Sequence, residues 1–189
     1  MKKIILIFFL ILNISCKNVT ISEKVDKNHL VSDREIYNFL DFILENEPTT
    51  ITKCKNFNVS DLFIANPDLK KIFTDKDLIF INKQIKNENY FNLNSEYLIN
   101  KNVIPQNELR RFLSESNDAE IFWRKLKNKY NAESYSSVSL PIFSKNKKIA
   151  IISTEFSCKG GLCGEGAIRV FIKVDGNWKF YDKLQIWVS

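Results

Sequence analysis

Apolar positions recur with a helical period through the first two thirds of this chain and with a period of two through the last third. "SDREIYNFLDFILEN" offers Ser32 and Glu35 as a reciprocal capping pair, places Ile36, Phe39, Leu40 and Ile43 on one face, and stops before Pro48. "TDKDLIFINKQIKN" repeats the design, with Thr74 and Asp77 at its start and Leu78, Ile81 and Ile85 along one side. "NDAEIFWRKLKNKY" starts at Asn117 with Glu120 three places on, and lines up Ile121, Phe122 and Leu126. "NPDLKKIF" and "PQNELRRFL" predict shorter helices, and "YFNLNSEYLINKNVI" reads as a turn with a short strand.

After Ala132 four runs alternate in polarity and are rich in β-branched and aromatic residues: "SYSSVSLPIF", "KKIAIISTEFSC", "GAIRVFIKV" and "WKFYDKLQIWVS". Asp175-Gly176 predicts a two-residue hairpin between the last two, because a primed turn needs positive φ. In the third run Ile168, Val170, Ile172 and Val174 share one face and Arg169 and Lys173 the other, which predicts one buried and one wet face. The expectation is a single α+β domain over residues 32–189. Its helices (32–130) pack on one face of a four-stranded antiparallel β-meander (133–189).

The pattern before residue 32 is different. "MKKIILIFFLILNISC" has a basic start, nine apolar residues from Ile4 to Leu12, and small or polar residues before Cys16, the build of a secretory signal over residues 1–15. A nine-residue helix covers only about 14 Å, and a bilayer span needs about 20 apolar residues. A plainly secreted chain and an uncleaved anchor are the competing readings. The segment also resembles the signals of bacterial lipoproteins, with Asn13 where that family carries leucine. That resemblance implies lipid, palmitate included, on Cys16, and two acyl chains or more for a stable hold on the membrane. Residues 16–31, including "KNVTISEKVDKNHL", lack periodicity and read as a tether with a coil span of roughly 20 Å.

Charge and cysteine narrow the function classes. Loss of residues 1–15 removes two lysines and no acid, so the formal charge drops from +6 to +4. Nucleic acid is not an expected partner of an exported chain so mildly basic. The densest cationic stretches, "WRKLKNKY" and "KNKK", read as a solvated helix face and a turn, with acidic headgroups or acidic polysaccharide as the sharper alternative. "FSCKGGLCGEG" holds four of the five glycines and two of the four cysteines. Because it joins two predicted antiparallel neighbours, Cys158 and Cys163 come within disulfide reach. Packed free thiols and a redox or metal site are the alternatives, although the spacing is Cys-x4-Cys, not Cys-x2-Cys. If Cys16 carries lipid, Cys54 reads as a buried thiol.

The only histidine, His29, falls in the tether, so no Ser-His or Cys-His pair is expected in the domain, nor a zinc site from its three cysteines. Glu155 and Glu165 flank the glycine loop and are the one carboxylate pair worth weighing for glycoside hydrolysis; the plainer reading is two outward strand charges. No catalytic residue, metal or cofactor is assigned. Candidate binding residues are Lys159, Gly160, Gly161, Leu162, Gly164, Glu165 and Gly166, with Cys158 and Cys163 as a staple.

"LPIFSKNKKIAIIS", "GGLCGEGAIRVFIKVDGNWK" and the closing "WVS" resemble a mostly uncharacterised group of exported bacterial lipoproteins, most clearly over residues 135–189. The resemblance implies location and shape, and no activity. Together these readings lead to a lipid-tethered module of the cell envelope that binds an envelope protein or glycan, or has a structural role. The alternatives are an envelope hydrolase or thiol oxidoreductase, and an inhibitor of an enzyme such as lysozyme, which the positive charge disfavours.

Overall fold

The structure is a computed structural model that describes residues 30–54, 57–86, 91–116, 118–160 and 163–188. Residues 1–29, expected above to hold a signal, the lipid-bearing Cys16 and most of a tether, lie outside the described residues. Val31 is already buried in the core.

Among the described residues five α-helices form where caps and apolar periods meet. Ser32 and Glu35 close the expected capping box at the head of α1 (Asp33–Leu44). Asn58 caps α2 (Val59–Ala65) through the N–H groups of Ser60 and Asp61. The next apolar stretch, Pro67–Lys71, closes as a 3-10 turn. Thr74 and Asp77 bind one another at the head of α3 (Asp75–Lys86), where Thr74 Oγ1 donates to Asp77 Oδ2 at 2.7 Å. Asp77 Oδ1 also accepts from the Lys145 N–H at 2.7 Å. Burial raises Asp77, but these donors outweigh it and hold its carboxyl below the usual range. α4 (Gln106–Ser114) follows Pro105, and α5 (Ala119–Tyr130) is capped by Asp118.

Among the described residues seven strands form one mixed sheet, so the four-stranded meander with helices on a single face is incorrect in strand number, strand direction and coverage. The four alternating runs do pair antiparallel. They give β3 (Ser134–Val138) with β4 (Ile142–Phe143), then β5 (Ile149–Cys158), β6 (Glu165–Val174) and β7 (Asn177–Val188). Asp175 and Gly176 turn β6 into β7 at φ 51° and 84°. Two further strands from the helical part extend the sheet: β1 (Thr50–Lys53) and β2 (Asn102–Ile104). β1 runs parallel to both β2 and β3, with Ile51 opposite Val103 and Ser136, and the strand order is β2-β1-β3-β5-β6-β7.

Both faces of the central strands are buried. Ala150, Ile152 and Phe171 face α1, joining Ile36, Phe39 and Leu40 in one core. Their neighbours Ile151, Ile168 and Val170 face the other way, into a second core with Leu62, Phe63, Leu69 and Ile81 from α2, the 3-10 turn and α3. A third core joins Ile104 to Leu109, Phe112, Phe122, Trp123 and Leu126 from α4 and α5. The Arg169 side of β6 is therefore not a wet face: Ala167 and Phe171 on that side are buried. The described members of the three cores lie between Val31 and Trp187.

Tyr37 on α1 ties the 91–98 segment to this frame: its hydroxyl donates to Asn92 O at 3.0 Å and accepts from the Asn94 N–H at 2.9 Å. Burial pushes its phenol up from 10.0 to about 12. A raised phenol means that the unfolded chain ionises first, so this stability is intact below pH 10 and lost as pH rises towards 12. Alkaline denaturation followed by circular dichroism should steepen over that window, and Tyr37→Phe should flatten it while costing about 1 kcal/mol at neutral pH. An unchanged alkaline slope in Tyr37→Phe would sink this assignment.

Candidate functional site

The glycine loop lies beyond the end of β5. Cys158 and Cys163 stand at disulfide distance, with Cα atoms 6.1 Å apart. Lys159 donates its N–H to Glu133 O at 2.9 Å, and its ammonium lies 3.7 Å from Glu120 Oε1 at the head of α5. Gly160 sits at φ +122°, a conformation that side chains rarely adopt. Gly161 and Leu162 lie outside the described residues. Gly164 leads into β6. Gly166 lies beneath Trp187, where an added Cβ would clash with the indole ring. The glycine there serves a close approach rather than a turn.

The carboxylates on either side of the loop do not converge. Glu155 pairs with Gly166 across the strands, and Glu165 pairs with Phe156, so register sends the two side chains to opposite faces. Glu155 accepts from Trp187 Nε1 at 3.4 Å, and Glu165 lies 3.8 Å from Arg169 on the α1 side. Hydrolysis by this pair is removed from consideration. The cationic stretches are also engaged locally. Lys125 pairs with Glu115, Lys127 with Glu133 and Lys129 with Glu108, while Lys147 reaches Glu35 at 2.7 Å.

A different site opens at the other end of the strands. β1, β2 and β3 run in one direction, so their carboxyl ends share one rim of the sheet. A cleft of about 520 Å³ lies there, floored by Leu93, Val103, Ile104 and Pro105 and edged by Lys53, Asn92, Gln106, Asn107 and Arg110. Crevices at the carboxyl ends of parallel strands are where α/β sheets bind ligands, because the chain leaves the sheet there and the following helix presents its amino end. β2 passes directly into α4 through Pro105, which supplies no side-chain cap. The helix dipole thus adds positive potential to that of Lys53 and Arg110.

Each wall of the cleft is held by its neighbours. Lys53 Nζ donates to Phe91 O at 2.6 Å and lies 5.6 Å from the Phe91 ring centroid. Gln106 Nε2 donates to Lys53 O at 3.4 Å, which joins the head of α4 to the end of β1. The Cys54 N–H donates to Val138 O at 2.9 Å and carries the β1–β3 ladder to the rim. The glycine loop adjoins the amino end of β3, where Ser134 pairs with Cys158, so loop and cleft occupy opposite ends of the strands.

Sequence reasoning missed the cleft. Its residues come from three separate segments, and only the Pro105 helix start carried a local signal. Among the described residues no group of three histidine, cysteine or acidic side chains could hold a metal ion, and no helix is long and apolar enough to cross a membrane. The molecule belongs structurally to the α+β class, with a mixed sheet between helices and a polar, cationic cleft at its parallel rim. No family model matches the chain, and neither the curated proteins nor the solved structures provide a match.

Proposed function

We propose that this protein is a non-catalytic binding module of the cell envelope, tethered by lipid on Cys16, whose cleft at the parallel rim captures an anionic, polar ligand such as a phosphate- or carboxylate-bearing glycan. The observation that carries this reading is the lining of the cleft: two cations, three amide side chains and an uncapped helix start, with no carboxylate among the described residues of that lining. Its volume falls in the range of small-ligand sites, roughly 300–1,000 Å³. Exposed Arg110 supplies planar donors that match phosphate and carboxylate oxygens. The signal resemblance, the tether and the similarity of residues 135–189 to exported lipoproteins support the location.

Titration calorimetry of the chain from Lys17 with a glycerol phosphate oligomer and with a galacturonate oligomer tests the ligand class. Saturable one-site binding is expected for at least one of them. Arg110→Ala should weaken it by about tenfold or more, the worth of a charge-assisted hydrogen bond, without changing the melting temperature. Equal affinity in Arg110→Ala, or no binding of either oligomer, overturns the reading. Intact mass spectrometry of the membrane-extracted protein reads the anchor separately: acyl mass on a chain that begins at Cys16 supports it, and a chain that begins at Met1 refutes it.

A further inference from the structure

The β6–β7 ribbon carries a surface that neither the cleft nor the cores explain. Beyond α1, on the α1 side of the sheet, Phe180 pairs with Phe171, Ile186 with Ala167 and Val188 with Glu165. These three β7 side chains are 56, 61 and 80% exposed, and Phe42 of α1, 39% exposed, meets Phe171 beside them. Cations are interleaved on the same face. Lys173 lies over Trp178 at 5.0 Å, and Lys183 pairs across from Arg169, which also meets Glu165, the acid of this strip.

We infer that this ribbon is a membrane-facing surface, which lays Phe42, Phe180, Ile186 and Val188 against an anionic lipid bilayer with Lys173 and Lys183 at headgroup level. Three observations select the bilayer as the occupant. Exposed apolar tips among basic side chains match the chemistry of an interface where acyl chains meet anionic headgroups. On the β6–β7 strip Lys173, Lys183 and Arg169 outnumber Glu165, so a second copy of the strip is repelled. The segment between Cys16 and the domain enters at Leu30, at the head of α1, the helix that covers this same side of the sheet. A coil of that length spans roughly 20 Å, so an anchor there turns this side towards the membrane. This last point rests on the lipid-tether reading; the first two do not.

β7 suits the role. Register shifts leave Tyr181 and Leu184 without cross-strand partners on β6, so this long edge strand is bulged and poorly suited to pair with another strand. Its exposed apolar residues are therefore better read as a contact surface than as an open edge for augmentation.

Vesicle co-sedimentation of the chain starting at residue 16 with Cys16→Ser measures the surface without lipid on the protein, so its outcome is independent of whether Cys16 is acylated in cells. Binding to vesicles with phosphatidylglycerol is expected to exceed binding to pure phosphatidylcholine vesicles and to fall with salt. Phe180→Ser with Ile186→Ser, and separately Lys173→Glu with Lys183→Glu, should each reduce it by about tenfold or more. Lys173, Phe180 and Ile186 are exposed and Lys183 is half-buried, so melting should be nearly unchanged; if the apolar pair melts early, the charge pair carries the test. Failure to bind phosphatidylglycerol vesicles, undiminished binding by the charge pair, or a dimer in sedimentation equilibrium that both pairs abolish would each overturn the inference.

Discussion

Phe39→Ala should lower stability by about 3–5 kcal/mol, the usual cost of deleting a fully buried aromatic ring. Phe39 has no exposure and stands where α1 crosses the sheet. Its ring meets Phe143, Phe171 and Trp178 edge-on, at centroid distances of 5.6, 5.4 and 4.8 Å. Edge-to-face geometry adds to the burial term. The three partners come from β4, β6 and β7, which leaves little scope for one local shift to refill the void. A melting temperature lower by about 8–15 °C is expected for a domain of this size. Phe42→Ala, one turn along and half exposed, is the control and should cost about 1 kcal/mol. A loss below about 1.5 kcal/mol for Phe39→Ala would mean that α1 does not hold this face of the sheet.

Gln84→Met should cost about 2–4 kcal/mol for a different reason. β4 pairs with β5, and on its other edge Gln84 of α3 takes the place of a strand. Its Nε2 donates to Phe143 O at 2.6 Å, and the Phe143 N–H donates to its Oε1 at 3.0 Å. Methionine keeps length and volume but leaves one buried donor and one buried acceptor unpaired, at about 1–3 kcal/mol each. Exchange of the Phe143 amide should accelerate while the Ile152 and Arg169 amides stay slow, because that pair belongs to the β5–β6 ladder. The same replacement at half-buried Gln106, with its single bond of 3.4 Å, should cost less than about 1 kcal/mol. Equal losses at the two sites would show that the α3–β4 clasp is not the source.

Recovery of the fold from sequence followed signal length. α1, α3 and α5 each have twelve residues, time for an apolar stripe to repeat, and acidic or hydroxyl caps to mark the start. β5, β6 and β7 have ten to twelve residues of alternation. β1 has four residues, and in "TITK" the two threonines are as buried as the isoleucine between them, so alternation carried no information. Thr52 is accommodated because its hydroxyl donates to Ile104 O at 3.0 Å, a bond across strands that are 52 residues apart. The break at Ser139-Leu140-Pro141, inside what reads as one run, is bridged by Ser139 Oγ, which accepts from the Ser153 N–H.

What the sequence determined by itself is what neighbours along the chain decide: the capping pairs, the Asp175-Gly176 turn, the antiparallel pairing of the last four runs, and the closeness of Cys158 to Cys163. Those features need only a few residues in a row, because cap geometry, positive φ and the pleat act over one turn or one hairpin. The tertiary structure decided that both faces of β6 are covered, where Glu155 and Glu165 aim, and where the cleft opens. The parallel pairing of β1 with β3 joins Ile51 to Ser136 across 85 residues. Helices close over both sides of the sheet, and the cleft exists only because the carboxyl ends of β1 and β2 meet residues 92–93 at one rim. Burial of a second face and convergence at a rim depend on long-range packing, to which no local period or cap corresponds.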